Sequence, residues 1–101
     1  MLQTFRSYQL AVEFYRMAQR LRAPHGLKDQ LRRASSSIAL NLSEGSAKDS
    51  RADRRRFYFI ALGSVRECEA IIELLRPESD SLALDIDKLA RHVYKLCQAL
   101  S

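Results

Sequence analysis

The chain has 101 residues, 47% of them hydrophobic and 29% charged, with a net charge of +5. That length makes one domain, residues 1–101, with a single modest core and no need of a disulfide staple. The hydrophobic share excludes a disordered chain, and no apolar run approaches membrane-spanning length.

Two prolines and three glycines favour long helices over a strand-and-turn fold. Met1 to Arg6 lacks a basic start followed by an apolar run, so the expected location is the cytoplasm. The charge is uneven. Residues 1–56 carry twelve Lys or Arg against five Asp or Glu, a net +7, and residues 57–101 carry five against seven, a net −2. A basic half beside a faintly acidic half points to a polyanion partner or to self-association.

The first helix is expected from about Phe5 to Arg22, capped by Gln3 or, better, Thr4. Phe5, Tyr8, Val12 and Tyr15 follow one stripe, and Ala11, Phe14, Ala18 and Leu21 follow another. A bundle helix needs one apolar face, so the surplus predicts burial against a second subunit. Ala23-Pro24-His25-Gly26 is a turn signal, with His25 a solvated turn residue.

The second helix is expected from about Leu27 to Glu44. Leu31, Ala34, Ile38 and Leu42 share its core side, while Gln30, Ser37, Asn41 and Glu44 stack as a polar stripe. Leu40 lies off the core stripe. Gly45 reads as the helix C-terminal stop. Ser50 and Asp53 then form a capping box that opens the third helix, expected from about Arg51 to Leu75. Its core stripe is expected to be Phe57, Ala61, Ser64, Cys68, Ile71 and Leu75. Phe57 to Leu62 is apolar all round, a further sign of an interface, and Gly63 predicts a close helix crossing. Glu69 and Glu73 provide partners for Arg66 and Arg76. Pro77 ends the helix, and Glu78 to Ser81 connects to the fourth. There Leu82, Ile86, Leu89, Val93, Leu96 and Leu100 alternate spacings of four and three, a narrow seam for a bundle.

Two stretches resemble a known family. The first is Gln30 to Ala34, then Ser37-Ile38 and Asn41 to Gly45. The second is Arg56-Phe57, then Ala61 to Ser64 and Glu67. They look like the signatures of the bacterial four-helix bundle proteins first met as reading frames inside intervening sequences of large-subunit ribosomal RNA genes. That family is similar in turn to the accessory subunit of diversity-generating retroelements, which partners a reverse transcriptase and binds nucleic acid. The resemblance implies an all-α, antiparallel up-and-down four-helix bundle and a ring-shaped homopentamer. It implies no catalytic activity.

The polar stripe with Ser64 and Glu67 invites an enzymatic reading, but a nucleophilic serine needs a base, and neither His25 nor His92 falls in these motifs. The structural reading is preferred. Asn41 fixes helix register, and Glu44 and Glu67 pair with Arg33 or Arg56. Cys68 and Cys97 are expected as buried free thiols, and no cofactor or metal motif is present. The basic set of Lys48, Arg51, Arg54 and Arg55, joined in space by Arg16, Arg20 and Arg32, is the candidate for phosphate. The reading that results is a non-enzymatic, oligomeric RNA- or DNA-binding or scaffold protein. The alternative is a protein–protein adaptor, for example to a reverse transcriptase.

Overall fold

A computed structural model describes residues 2–75 and 80–100, without the side chains of Leu2, Gln3 and Asp80. Four helices follow in order: α1 (Leu2–Gln19), α2 (His25–Ser46), α3 (Arg51–Leu75) and α4 (Asp80–Ala99). Each packs on its chain neighbour, and α4 packs back on α1, closing a ring of four contacts. Among the described residues no diagonal pair of helices packs backbone to backbone, which is the pattern of an antiparallel up-and-down bundle. The bundle is 40 Å long and about 20 Å across, two helices by two.

Periodicity explains the core. On α4 the stripe of Leu82, Ile86, Leu89, Val93 and Leu96 is at most 5% exposed. On α1 the second stripe is the buried one: Ala11, Phe14 and Ala18, joined by Ser7 and Leu10. Phe5 and Tyr8 of the first stripe remain exposed. On α3 the buried line is Tyr58, Ala61, Val65, Cys68, Ile72 and Leu75, with Ile71 beside it. Phe57 and Ser64, expected in that line, are half-buried at its edge.

Helix ends depart from expectation for local reasons. Thr4 does not cap α1; it is helical, and its Oγ1 lies 3.3 Å from the Tyr58 hydroxyl. α1 stops at Gln19, and the chain tightens through Arg20 N–H to Met17 O and Leu21 N–H to Ala18 O. Pro24, with φ −52° and ψ 141°, precedes α2, so His25 and Gly26 are its first turn and not a loop. First-turn amides have no intrahelical acceptor anyway, so a helix can start directly after Pro24. Ser50 caps α3 as expected, its Oγ accepting from Asp53 N–H at 3.1 Å. Asp80 and Ser81, read as connector, lie in α4. The expectations for Arg76, Pro77 and Glu78 fall outside the described residues.

Gly45 is not a stop. It lies inside α2, buried, and the helix runs on to Ser46. A Cβ there would come within 2.7 Å of the Tyr58 ring and 3.0 Å of Phe57 Cβ. The residue is small because α3 crosses α2 at that point. Gly63 is the reverse case. It is exposed and a Cβ would meet nothing within 4 Å, so the close crossing expected there is not made inside this bundle.

Candidate nucleic-acid interface

The antiparallel path brings the start of α1, the end of α2, the start of α3 and the end of α4 to one end of the molecule. Lys48, Arg51, Arg54 and Arg55 gather there, on the α2–α3 link and the first turns of α3. Arg16 and Arg20 fall near the finish of α1, where Met17, Arg20 and Leu21 meet Ser81 and Leu82. Arg32 lies early in α2. These three occupy the opposite half of a 40 Å bundle and do not join the first four. Charges that add along the sequence are divided by topology.

Each cation of the first group is tethered. Arg51 Nη2 donates to the Ala99 carbonyl at 2.7 Å, placing a positive charge on the C-terminal pole of α4. Arg54 Nε donates to Lys48 O at 2.8 Å, which closes the α2–α3 turn. Lys48 Nζ is 3.0 Å from Glu44 Oε2 and 5.2 Å from the Phe57 ring centre. The Arg55 guanidinium sits 5.0 Å over Phe59, and that of Arg56 sits 4.4 Å over Phe57. Stacking on a ring leaves the edge of a guanidinium free to donate. The run Arg-Arg-Arg-Phe-Tyr-Phe carried this signal, because positions 55 and 59 are one helical turn apart.

The polar stripe forms in part. Asn41 Nδ2 donates to Ser37 O at 2.8 Å and to Ser37 Oγ at 3.0 Å, and Ser64 Oγ donates to Ser37 Oγ at 2.8 Å. This links α2 to α3. Glu44 does not pair with Arg33 or Arg56. Lys48 is four positions on, and Arg56 is taken up by Phe57. Gln30, Arg33 and Glu67 are exposed and stand outside the linked set. Arg32 is 3.9 Å from Asp29, and His25 is 3.3 Å from the same carboxylate.

Cys68 and Cys97 are buried thiols, neither of them in a disulfide. Burial pushes the Cys68 thiol up to about 12, with Glu67 and Glu69 adding to it. Burial also raises that of Cys97, against a pull from Arg55. A buried neutral thiol is a poor nucleophile. Among the described residues no group of three or more His, Cys, Asp or Glu could hold a metal ion. Likewise, no helix among them is long and apolar enough to cross a membrane.

The sequence did not reveal a small pocket at this same end. Its volume is about 180 Å³, and Thr4, Ser46, Arg54 and Tyr58 line it with Leu96, Ala99 and Leu100. Residues from all four helices meet there, so no local pattern announces it.

This four-helix arrangement is similar to the crystal structure of a protein of unknown function from the S23 ribosomal protein family of Bacteroides thetaiotaomicron. The TM-score is 0.78 at 23% identity, over 96% of each chain, a likeness of fold. No curated protein matches the chain. A family model described as 23S rRNA-intervening sequence protein matches residues 4–101. The chain therefore belongs to the 23S rRNA-intervening sequence protein family.

Proposed function

We propose that this chain is a non-enzymatic, self-associating protein that binds nucleic acid by its phosphate backbone. The observation that carries the reading is the clustering of Lys48, Arg51, Arg54 and Arg55 at one end, each held by a contact within the chain. Held cations lose less side-chain freedom when they meet a phosphate. The positive pole of α3 adds to their field. Clustered lysine and arginine suit phosphate contacts, so binding should follow charge and shape more than sequence.

Self-association is supported by the outer faces of α2 and α3. Leu40 is 68% exposed, and Phe59 and Ile60 are each 43% exposed. Covering them with further copies repeats the basic end around an assembly, and affinity rises with each repeat. A second reading, a protein–protein adaptor, is favoured by Leu74 and Leu84, the most exposed large apolar side chains among the described residues.

Fluorescence anisotropy with single- and double-stranded RNA and DNA, across a salt series, tests the first reading. Replacing Arg51, Arg54 and Arg55 by Ala should weaken binding and flatten its salt dependence. Each lost phosphate contact lowers the log–log slope by roughly 0.7–0.9. If the wild type binds none of the four at low salt, the adaptor reading takes over. Light scattering should give a mass several times the 11.6 kDa of one chain.

A further inference from the structure

We infer that the pocket at the basic end is a receptor for a single phosphate monoester. It deepens the proposed function, on which it rests for the source of the phosphate. The pocket lies where the four helices converge, lined by Thr4, Ser46, Arg54 and Tyr58 with an apolar side of Leu96 and Leu100. Among the described residues no acidic side chain lines it.

The donors fit the chemistry. Arg54 has five N–H groups, and the one on Nε is fixed to Lys48 O at 2.8 Å. That bond orients the guanidinium plane and leaves the outer nitrogens to donate. Thr4 and Tyr58 share one hydrogen bond of 3.3 Å. Whichever donates in that bond, the other keeps a hydroxyl proton for a ligand. Tyr58 is 4% exposed and its ring is wedged against Gly45, so its hydroxyl does not wander. Ser46 Oγ gives its proton to Ser43 O at 2.9 Å, so the donors left for an anion are those of Arg54, Thr4 and Tyr58. Ala99, whose carbonyl belongs to the negative pole of α4, lines the same space, but Arg51 already neutralises that carbonyl.

Such a set favours an anion with several oxygens. A planar guanidinium binds two of them at once, and a hydroxyl takes a third. At about 180 Å³ the pocket has room for one phosphate. It is half-enclosed, so it suits a group on a single tether better than a strand that must enter and leave. The ligand class is therefore a terminal phosphate, from a strand end or from free phosphate.

Two experiments separate this site from the general basic surface. In the first, inorganic phosphate is titrated into the protein at constant ionic strength while the Arg54 Nε–H resonance is followed by NMR. The expected result is a saturable shift, with affinity lowered roughly tenfold in Tyr58→Phe, the loss of one charge-assisted hydrogen bond. Thr4→Val gives an independent check if Tyr58→Phe alters the fold. In the second, one single-stranded oligonucleotide is compared with a 5′-phosphate and with a 5′-hydroxyl. The phosphorylated form should bind several-fold tighter, and the difference should vanish in Tyr58→Phe, which leaves the net charge unchanged. Equal binding of both forms overturns the pocket and leaves the proposed function standing. If neither form binds, the proposed function fails, and the phosphate titration decides the pocket. A phosphate shift at Arg54 that does not saturate, or that survives both substitutions, overturns it too.

Discussion

The inner and outer faces of α3 are made of similar residues and have opposite fates. On the inner face Tyr58, Ala61, Val65, Cys68 and Ile72 are each at most 4% exposed. On the outer face Phe59 and Ile60 are 43% exposed, and Gly63 has open space where a Cβ would be. Only the inner face is needed to close the bundle. On the proposed assembly these uncovered apolar residues bear on association rather than on the core. The two faces therefore carry separate instructions on one helix, and substitutions on each should move different measurements.

The largest contrast is expected from Cys68. Its folded thiol titrates at about 12, above the ordinary 9.0, because burial disfavours the thiolate. The unfolded chain then loses this proton first as pH rises. The folded state binds more protons between pH 9 and 12, so stability falls with pH across that window. The slope approaches roughly 1.4 kcal/mol per pH unit in the middle of that window and falls again as the folded thiol ionises. Urea unfolding of wild type and Cys68→Ala from pH 8 to 11 should show the wild type losing stability faster. Parallel curves would mean that the inner face admits water or a counter-ion at that point.

A second, smaller effect is expected where α2 crosses the inner face. In Gly45→Ala the new Cβ meets the buried Tyr58 ring at 2.7 Å. Overpacking costs about 1–3 kcal/mol, which exceeds the gain of about 1 kcal/mol in helix propensity. The melting temperature should fall. Gly45→Ala with Tyr58→Leu should recover part of the loss, because the ring is what the methyl meets.

The sequence made some of this plain and hid the rest. The α4 seam was legible because one narrow stripe has one phase. The α3 core was misplaced at Phe57 and Ser64 because Phe57 to Leu62 is apolar all round, and a uniform run has no phase to read. Gly45 was misread because a glycine at a helix stop and one at a close crossing look alike locally. Only the position of Tyr58 on another helix separates them. The basic set is divided in space. Lys48, Arg51, Arg54 and Arg55 are neighbours in sequence and in space. Arg16, Arg20 and Arg32 are carried to the far half by antiparallel topology, which the expected fold already implied. The Thr4–Tyr58 pocket has no sequence signature, since its parts come from four helices.

At the boundary between the faces lies the bonded set of Ser37, Asn41 and Ser64. Asn41→Ala removes two hydrogen bonds of 2.8 and 3.0 Å from a half-buried side chain. Ser37 and Ser64 keep each other, so the expected loss is about 1 kcal/mol, near the net worth of one such bond. Urea unfolding measures it. A variant that folds as the wild type but loses affinity for a ligand would turn this set into a binding site.

The smallest effect on the fold has the sharpest sign. Gly63→Ala adds a methyl where nothing stands within 4 Å. In an isolated bundle that substitution should stabilise α3, by up to about 1 kcal/mol, because alanine restricts the unfolded chain and favours helix. On the proposed assembly it should act the other way. A glycine on an exposed, apolar helix face lets a second backbone come close, and a methyl holds it off. The two readouts are unfolding at a concentration low enough to dissociate the assembly and mass by light scattering at a higher one. Opposite signs, a firmer fold and a weaker assembly, are the expected outcome. If stability and mass both hold or rise, no backbone packs on Gly63. Phe59 and Ile60 would then be free for a partner other than this chain.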